Sequence, residues 1–77
     1  MARGLRGWTY KDVVKFLKKK GFYFYEHREG SHEAWINLEL ETIVEIQFHG
    51  DKTTIVQRTL ETMIRQSGIS KGEWRNR

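Results

Sequence analysis

Residues 22–50 read FYFYEHREGSHEAWINLELETIVEIQFHG, and this stretch decides the fold because its apolar residues recur at every second position. Phe22 and Phe24 fall on one side and Tyr23, Tyr25 and His27 on the other, all strand-favouring types except the histidine. Arg28, Glu29, Gly30 and Ser31 make a turn, and His32 to Leu38 form a second run around Ala34, Trp35 and Ile36. Trp35 and Ile36 point to opposite faces, so the pattern leaves open whether His32 faces solvent or helices. A charged turn at Glu39–Glu41 leads to a third run, where Val44, Ile46 and Phe48 alternate with Ile43, Glu45 and Gln47. The first set makes the better core face, and the short turns make the three runs an antiparallel meander.

Helical periodicity flanks the meander on both sides. Before it, Thr9 reads as an N-cap with Asp12 at the third helical position, and Trp8 can staple onto Val13. Tyr10, Val13, Val14 and Leu17 follow at helical spacing, with Phe16 widening the stripe and Lys11, Lys15 and Lys18 largely away from it. Gly21 supplies the stop, and Phe22 beyond it can close on Leu17. After the meander, Gly50 and Asp51 break the strand, and Thr54 with Gln57 offers a second capping box before Val56, Leu60, Met63 and Ile64. Gly68 then stops this helix and Ile69 can reach back to Ile64, the same device as in the first. The result is an α+β domain of order α-β-β-β-α, with a three-stranded antiparallel sheet, both helices on one face and the other face open.

With 77 residues and 9.2 kDa, residues 1–77 are expected to form a single domain, its ordered core at about 8–70 and a polar C-terminal tail at 71–77, whose Trp74 is expected to dock on the domain, the alternative being a partner contact. Ten aromatics supply the core, and the lack of cysteine excludes disulfides, thiolate metal sites and a cysteine nucleophile, which suits the cytoplasm. The start MARGLRGW has no apolar leader and no run is long enough to cross a membrane, so an unprocessed soluble protein is expected. The net charge of +4 is unevenly spread: residues 1–21 carry seven basic residues and one acid, residues 22–50 one basic residue and six acids, and residues 51–77 six basic residues and three acids. Basic ends about an acidic middle suit either a nucleic-acid surface or a chain that neutralises itself on folding.

Several landmarks in this order resemble the HicA-type toxins of bacterial toxin-antitoxin pairs. They are Gly21-Phe22 closing the first helix, the turn Gly30-Ser31-His32 with Trp35 three residues on, and Thr59-Leu60 to Ile64-Arg65-Gln66-Ser67-Gly68-Ile69 at the end. The resemblance covers nearly the whole domain. It implies a double-stranded-RNA-binding-domain-like fold, an mRNA interferase that cuts RNA without a metal, His32 as the catalytic residue, and a HicB-like antitoxin that binds the toxin and covers its site in a hetero-oligomer.

The residues permit that chemistry. RNA can be cleaved by its own 2′-hydroxyl, so an enzyme needs only to take that proton, hold the phosphate in line, stabilise the added charge and protonate the leaving oxygen. Histidine suits the proton steps because its ordinary pKa is ~6.5. His32 follows a Gly-Ser turn, where the Gly30 backbone can approach a phosphate closely and Ser31 can donate a hydrogen bond. His49 is expected near the start of the second strand, beside His32, as a second proton-transfer group or phosphate ligand. His27 shares the open-face parity of Tyr23 and Tyr25, beside the site or as an ordinary strand histidine. Arg28 and Lys52 flank the same end of the sheet and are the candidates for neutralising the phosphate.

Glu45, Gln47 and His49 share a strand parity, but one carboxylate and one imidazole make a poor metal set, so no metal and no cofactor is expected. The leading expectation is a metal-independent endoribonuclease toxin acting on single-stranded mRNA. The alternatives are a non-catalytic RNA-binding module of the same fold, and an interaction domain whose open sheet face docks a protein. Tyr23, Tyr25 and Trp35 can stack on bases or serve the core and a protein surface.

Overall fold

The computed structural model describes residues 5–76, so the start Met1–Gly4 and the last tail residue, Arg77, lie outside the described residues. Helix α1 (Tyr10–Lys19) opens on the expected box: Asp12 N donates to Thr9 Oγ1 at 3.2 Å, and Thr9 N donates to Asp12 Oδ2 at 3.0 Å. Trp8 and Val13, on either side of the cap, are both fully buried in one cluster. The far end closes as a Schellman motif. Gly21 takes φ +93°, its amide donates to Lys18 O at 3.2 Å, and Phe22 N donates to Leu17 O at 2.8 Å.

The chain then forms β1 (Tyr23–Arg28), β2 (His32–Asn37) and β3 (Thr42–Gln47), an antiparallel meander in the order β1-β2-β3. Trp35, Val44 and Ile46 are buried on one face, beneath Val13, Phe16 and Leu17 of α1 and Leu60, Met63 and Ile64 of α2 (Gln57–Ser67). Both helices therefore cover the same face, as the apolar stripes predict. Each such fully buried large side chain contributes about 2 kcal/mol relative to exposure.

Two expectations are corrected here. Thr54 does not cap α2: Val56 is the N-cap, without a side-chain bond, and its own side chain is exposed rather than in the core. The reason is a competing backbone pairing. Thr54 bridges Thr9, and Ile55 N donates to Trp8 O at 2.7 Å, so the chain stays extended for two more residues before it turns helical. At the other end Gly68 is left-handed as expected, with φ +75°, but the closing bond is relayed: Ile69 N donates to Ser67 Oγ, which donates to Ile64 O.

The second correction is on β1, where the register shifts between Phe24 and Glu26. This bulge at Tyr25 reverses the parity of the residues after it, so His27 does not share a face with Tyr23. It pairs with Glu33 on the helix side, its ring 5.0 Å from that of Phe24.

The sequence reading contains no third helix, yet Lys71–Arg75 forms α3, capped by Ser70. Trp74 docks as expected. It is fully buried, its ring centroid 4.3 Å from Phe16 and 5.2 Å from Trp8, and its Nε1 donates to Ser67 Oγ at 3.2 Å. Among the described residues no helix is long and apolar enough to cross a membrane.

Candidate active site

The alternation along β2 resolves the parity that the sequence leaves open. Trp35 and Asn37 are buried on the helix side, which sends His32, Ala34 and Ile36 to the uncovered face. In register His32 stands between Arg28 of β1 and Gln47 of β3, and the next row is Glu26, Ala34 and Glu45. The bulge at Tyr25 creates this arrangement, because uninterrupted alternation from Phe24 would send Glu26 and Arg28 to the helix side.

Arg28 ties the two rows together. Its Nε lies 3.1 Å from Glu26 Oε2 and its Nη1 3.3 Å from Glu45 Oε2, so the side chain spans both carboxylates that flank Ala34. Ala34 beneath it is fully buried on a face that no helix covers. The hydrogen bond it donates to Glu26, then that to Glu45, holds the guanidinium pKa above its ordinary value.

The hairpin turn sets where His32 begins. Gly30 adopts φ +73°, and a side chain there would meet nothing within 4 Å, so the backbone at the turn is approachable. Ser31 O accepts from Phe48 N at 3.0 Å, which extends the ladder one step past β2 and brings the next residue, His49, to the same end of the sheet. His49 is exposed beyond the last strand residue, and its carbonyl accepts from Thr53 Oγ1 at 2.8 Å. Lys52 is exposed on the following loop, which is tied to α1 through Lys11 N and Asp51 O at 3.2 Å rather than to the sheet. Gly30, Ser31, His32 and Arg28 thus share one hairpin, His49 joins their end, and Lys52 rides on a separate tether.

Glu33 is the acid nearest to His32 in the chain, and it points the other way. Tyr10 Oη donates to its Oε1 at 2.6 Å and Trp35 Nε1 donates to the same oxygen at 3.0 Å. Burial, reinforced by this bond, pushes the Tyr10 phenol well above its ordinary pKa. Sequence reasoning missed Gln47 as the cross-strand partner of His32 and the two carboxylates on Arg28. The Gly30 turn carried part of the signal, since the Arg28–His32 pair places Glu26 opposite Ala34 on the same hairpin, whereas Gln47 and Glu45 follow from the β2–β3 register. Among the described residues no three His, Asp or Glu gather into a metal-binding cluster.

Fold and site together define the class: a small α+β domain whose uncovered sheet face presents an imidazole beside a guanidinium held by two carboxylates. A family model for the HicA toxin of bacterial toxin-antitoxin systems matches residues 10–69, and the chain belongs to that family. It is thereby a toxin of a toxin-antitoxin pair, and membership implies a cognate antitoxin as its partner. No curated protein and no solved structure matches the chain. The matched segment begins at the first residue of α1 and ends one residue past Gly68, leaving Trp8 and α3 outside it.

Proposed function

We propose that this toxin is a metal-independent endoribonuclease that cuts single-stranded mRNA in the cytoplasm, on a double-stranded-RNA-binding-domain-like scaffold, with His32 moving the proton. The observation that carries the reading is the setting of His32 on the uncovered face, flanked in register by Arg28 and Gln47 and beside an open glycine turn. The 2′-hydroxyl gives its proton to a base as its oxygen bonds to phosphorus. The bond from phosphorus to the 5′-oxygen then breaks, and that oxygen takes a proton. The products are a 2′,3′-cyclic phosphate and a 5′-hydroxyl, and no water or metal enters the cleavage step.

In this reading His32 is general acid or base, with His49 available for the second proton. Ser31 and the Gly30 backbone bind phosphate oxygens, and Lys52 adds positive charge from its loop. Arg28 stabilises the pentacoordinate phosphate. Its two ion pairs are about two-fifths exposed on both partners, and exposed pairs are worth only about 0–1 kcal/mol. A phosphate with two oxygens to offer can therefore draw the guanidinium from a carboxylate. A HicB-like antitoxin inhibits by covering this face.

A non-catalytic RNA-binding module is the second reading, favoured by the exposed lysines of α1. One experiment separates them: incubation of single-stranded RNA in EDTA with the unaltered chain and with folded His32→Ala. Loss of cleavage by at least about a hundredfold in His32→Ala, with cyclic-phosphate ends from the unaltered chain, supports the enzyme. Equal cleavage by both, or 5′-phosphate ends, overturns it, and binding without cleavage by either gives the module.

A further inference from the structure

A pocket of about 110 Å³ lies between the end of β3, the loop that follows it and the first turns of α2. Its apolar lining comes from Met63, which is buried, Ile55 and the Tyr10 ring, which are half-buried, and Val56, which is exposed, whereas polar residues, Thr53, Thr54 and Thr59 among them, line it from exposed positions. The pocket therefore has an apolar floor and a polar, solvent-facing rim. Gln47 belongs to it and is also the cross-strand partner of His32. Adjacent strands lie ~4.8 Å apart, so one strand spacing separates the backbone of His32 from the wall of the pocket.

We propose that this pocket is a pyrimidine-base subsite that seats the nucleotide next to the phosphate at His32. The inference rests on the ribonuclease reading for the position of that phosphate, and on the pocket alone for the class of ligand. No Lys, Arg, Asp or Glu lines it, so nothing there selects a phosphate or a charged peptide side chain. Its chemistry suits a flat ring with a hydrogen-bonding edge. Apolar walls take the ring faces, and the hydroxyls of Thr53, Thr54 and Thr59, each both donor and acceptor, meet the edge of uracil or cytosine. Size makes the choice between bases, since an enclosed cavity of about 150 Å³ accepts benzene. This pocket, about 110 Å³ and open at its rim, takes one six-membered ring partly in solvent, and the fused rings of a purine overfill it further.

Thr59 lines the pocket and can be changed safely, because it is exposed on α2 and outside the core. The test uses the full chain carrying His32→Ala, which keeps RNA intact, and reads the anisotropy of labelled short oligouridine, oligocytidine and oligoadenosine. The expected result is binding of both pyrimidine oligomers about tenfold tighter than oligoadenosine. Adding Thr59→Leu removes the preference by weakening the pyrimidine oligomers, and Thr59→Ala removes it by admitting oligoadenosine. Opposite routes to the same loss are not expected from a residue that only supports the fold. Equal affinity for the three oligomers, or a preference that Thr59→Leu leaves intact, overturns the proposal. Failure of every oligomer to bind does so too, and leaves the pocket to a side chain of a protein partner. Cleavage by the unaltered chain is read separately. RNA cut without base preference sinks the pocket alone, whereas preference without cutting keeps the pocket and sinks the ribonuclease.

Discussion

Glu33 and His32 are neighbours in sequence with opposite surroundings, and the contrast shows what one step along a strand does. His32 is turned to the side where a substrate can reach it. Glu33 is turned to the helices, where its Oε1 accepts from both Tyr10 Oη and Trp35 Nε1 and so fixes the start of β2 against α1. Sequence alone leaves the face of Glu33 open, because parity on β2 depends on which of Trp35 and Ile36 is buried. The Tyr10 bond has a measurable consequence. Tyr10 must stay protonated to donate, and its folded pKa is raised above the ordinary 10.0, first by desolvation and then by Glu33. The stabilisation is therefore complete below about pH 10 and is lost as the pH rises beyond it. Urea midpoints of the unaltered chain and Tyr10→Phe should converge as the pH is raised through the alkaline range, the unaltered chain losing its lead. A gap that stays constant across that range would show that the phenol proton plays no part in stability.

At the scale of elements, legibility follows how local each device is. The capping box at Thr9 and the Gly21 closure lie within a few residues, so their sequence signals suffice. Thr54 carries an equally good signal and fails, because Trp8 and Thr9, some forty-five residues earlier in the chain, claim the backbone around it. The bulge at Tyr25 is also a property of two strands in register and not of β1 alone, and it decides that Arg28 meets His32. Helix α3 is too short to show a period, and only the lone Trp74 hints at it. The two helix stops make a quantitative comparison. Gly21 and Gly68 both have positive φ, so alanine is strained at either. A Cβ at Gly21 would sit 3.4 Å from Asn37 Nδ2, an ordinary contact, but at Gly68 it would sit 3.0 Å from Thr42 Cγ2. Thr42 cannot swing away without cost, since its Oγ1 donates to Ser67 O at 2.9 Å. Gly21→Ala should therefore cost about 1 kcal/mol and Gly68→Ala about 2 kcal/mol or more in denaturant unfolding. Equal losses would mean that the Thr42 contact relaxes freely.

For the molecule as a whole, the question left by composition is what the basic ends are for. Val13, Phe16 and Leu17 turn one side of α1 to the core, so Lys11, Lys15 and Lys19, each exposed, project from the opposite side. The helices cover one face of the sheet, and His32 is on the other. Part of the terminal charge is spent within the fold, as in the 2.6 Å pair of Lys20 with Glu73, which holds that carboxyl below its ordinary pKa. Of the remaining α1 lysines, Lys18 is turned back over the Trp35 ring of β2, whereas Lys15 and Lys19 have the helix and the sheet between them and the uncovered face that carries His32. At physiological ionic strength the screening length is about 8 Å. A phosphate held at His32 is thus beyond effective reach of Lys15 and Lys19, whereas an RNA bound along α1 would touch both. This separation turns the two functional readings into one measurement. If the sheet face performs the chemistry, Lys15→Gln with Lys19→Gln should change RNA cleavage at physiological salt by less than about twofold. If the protein is a binding module that uses α1, the same pair should weaken RNA affinity strongly and flatten its dependence on salt by about two counterions. A large loss of cleavage in this variant, with the fold intact, would move the RNA path onto the helical face and away from His32.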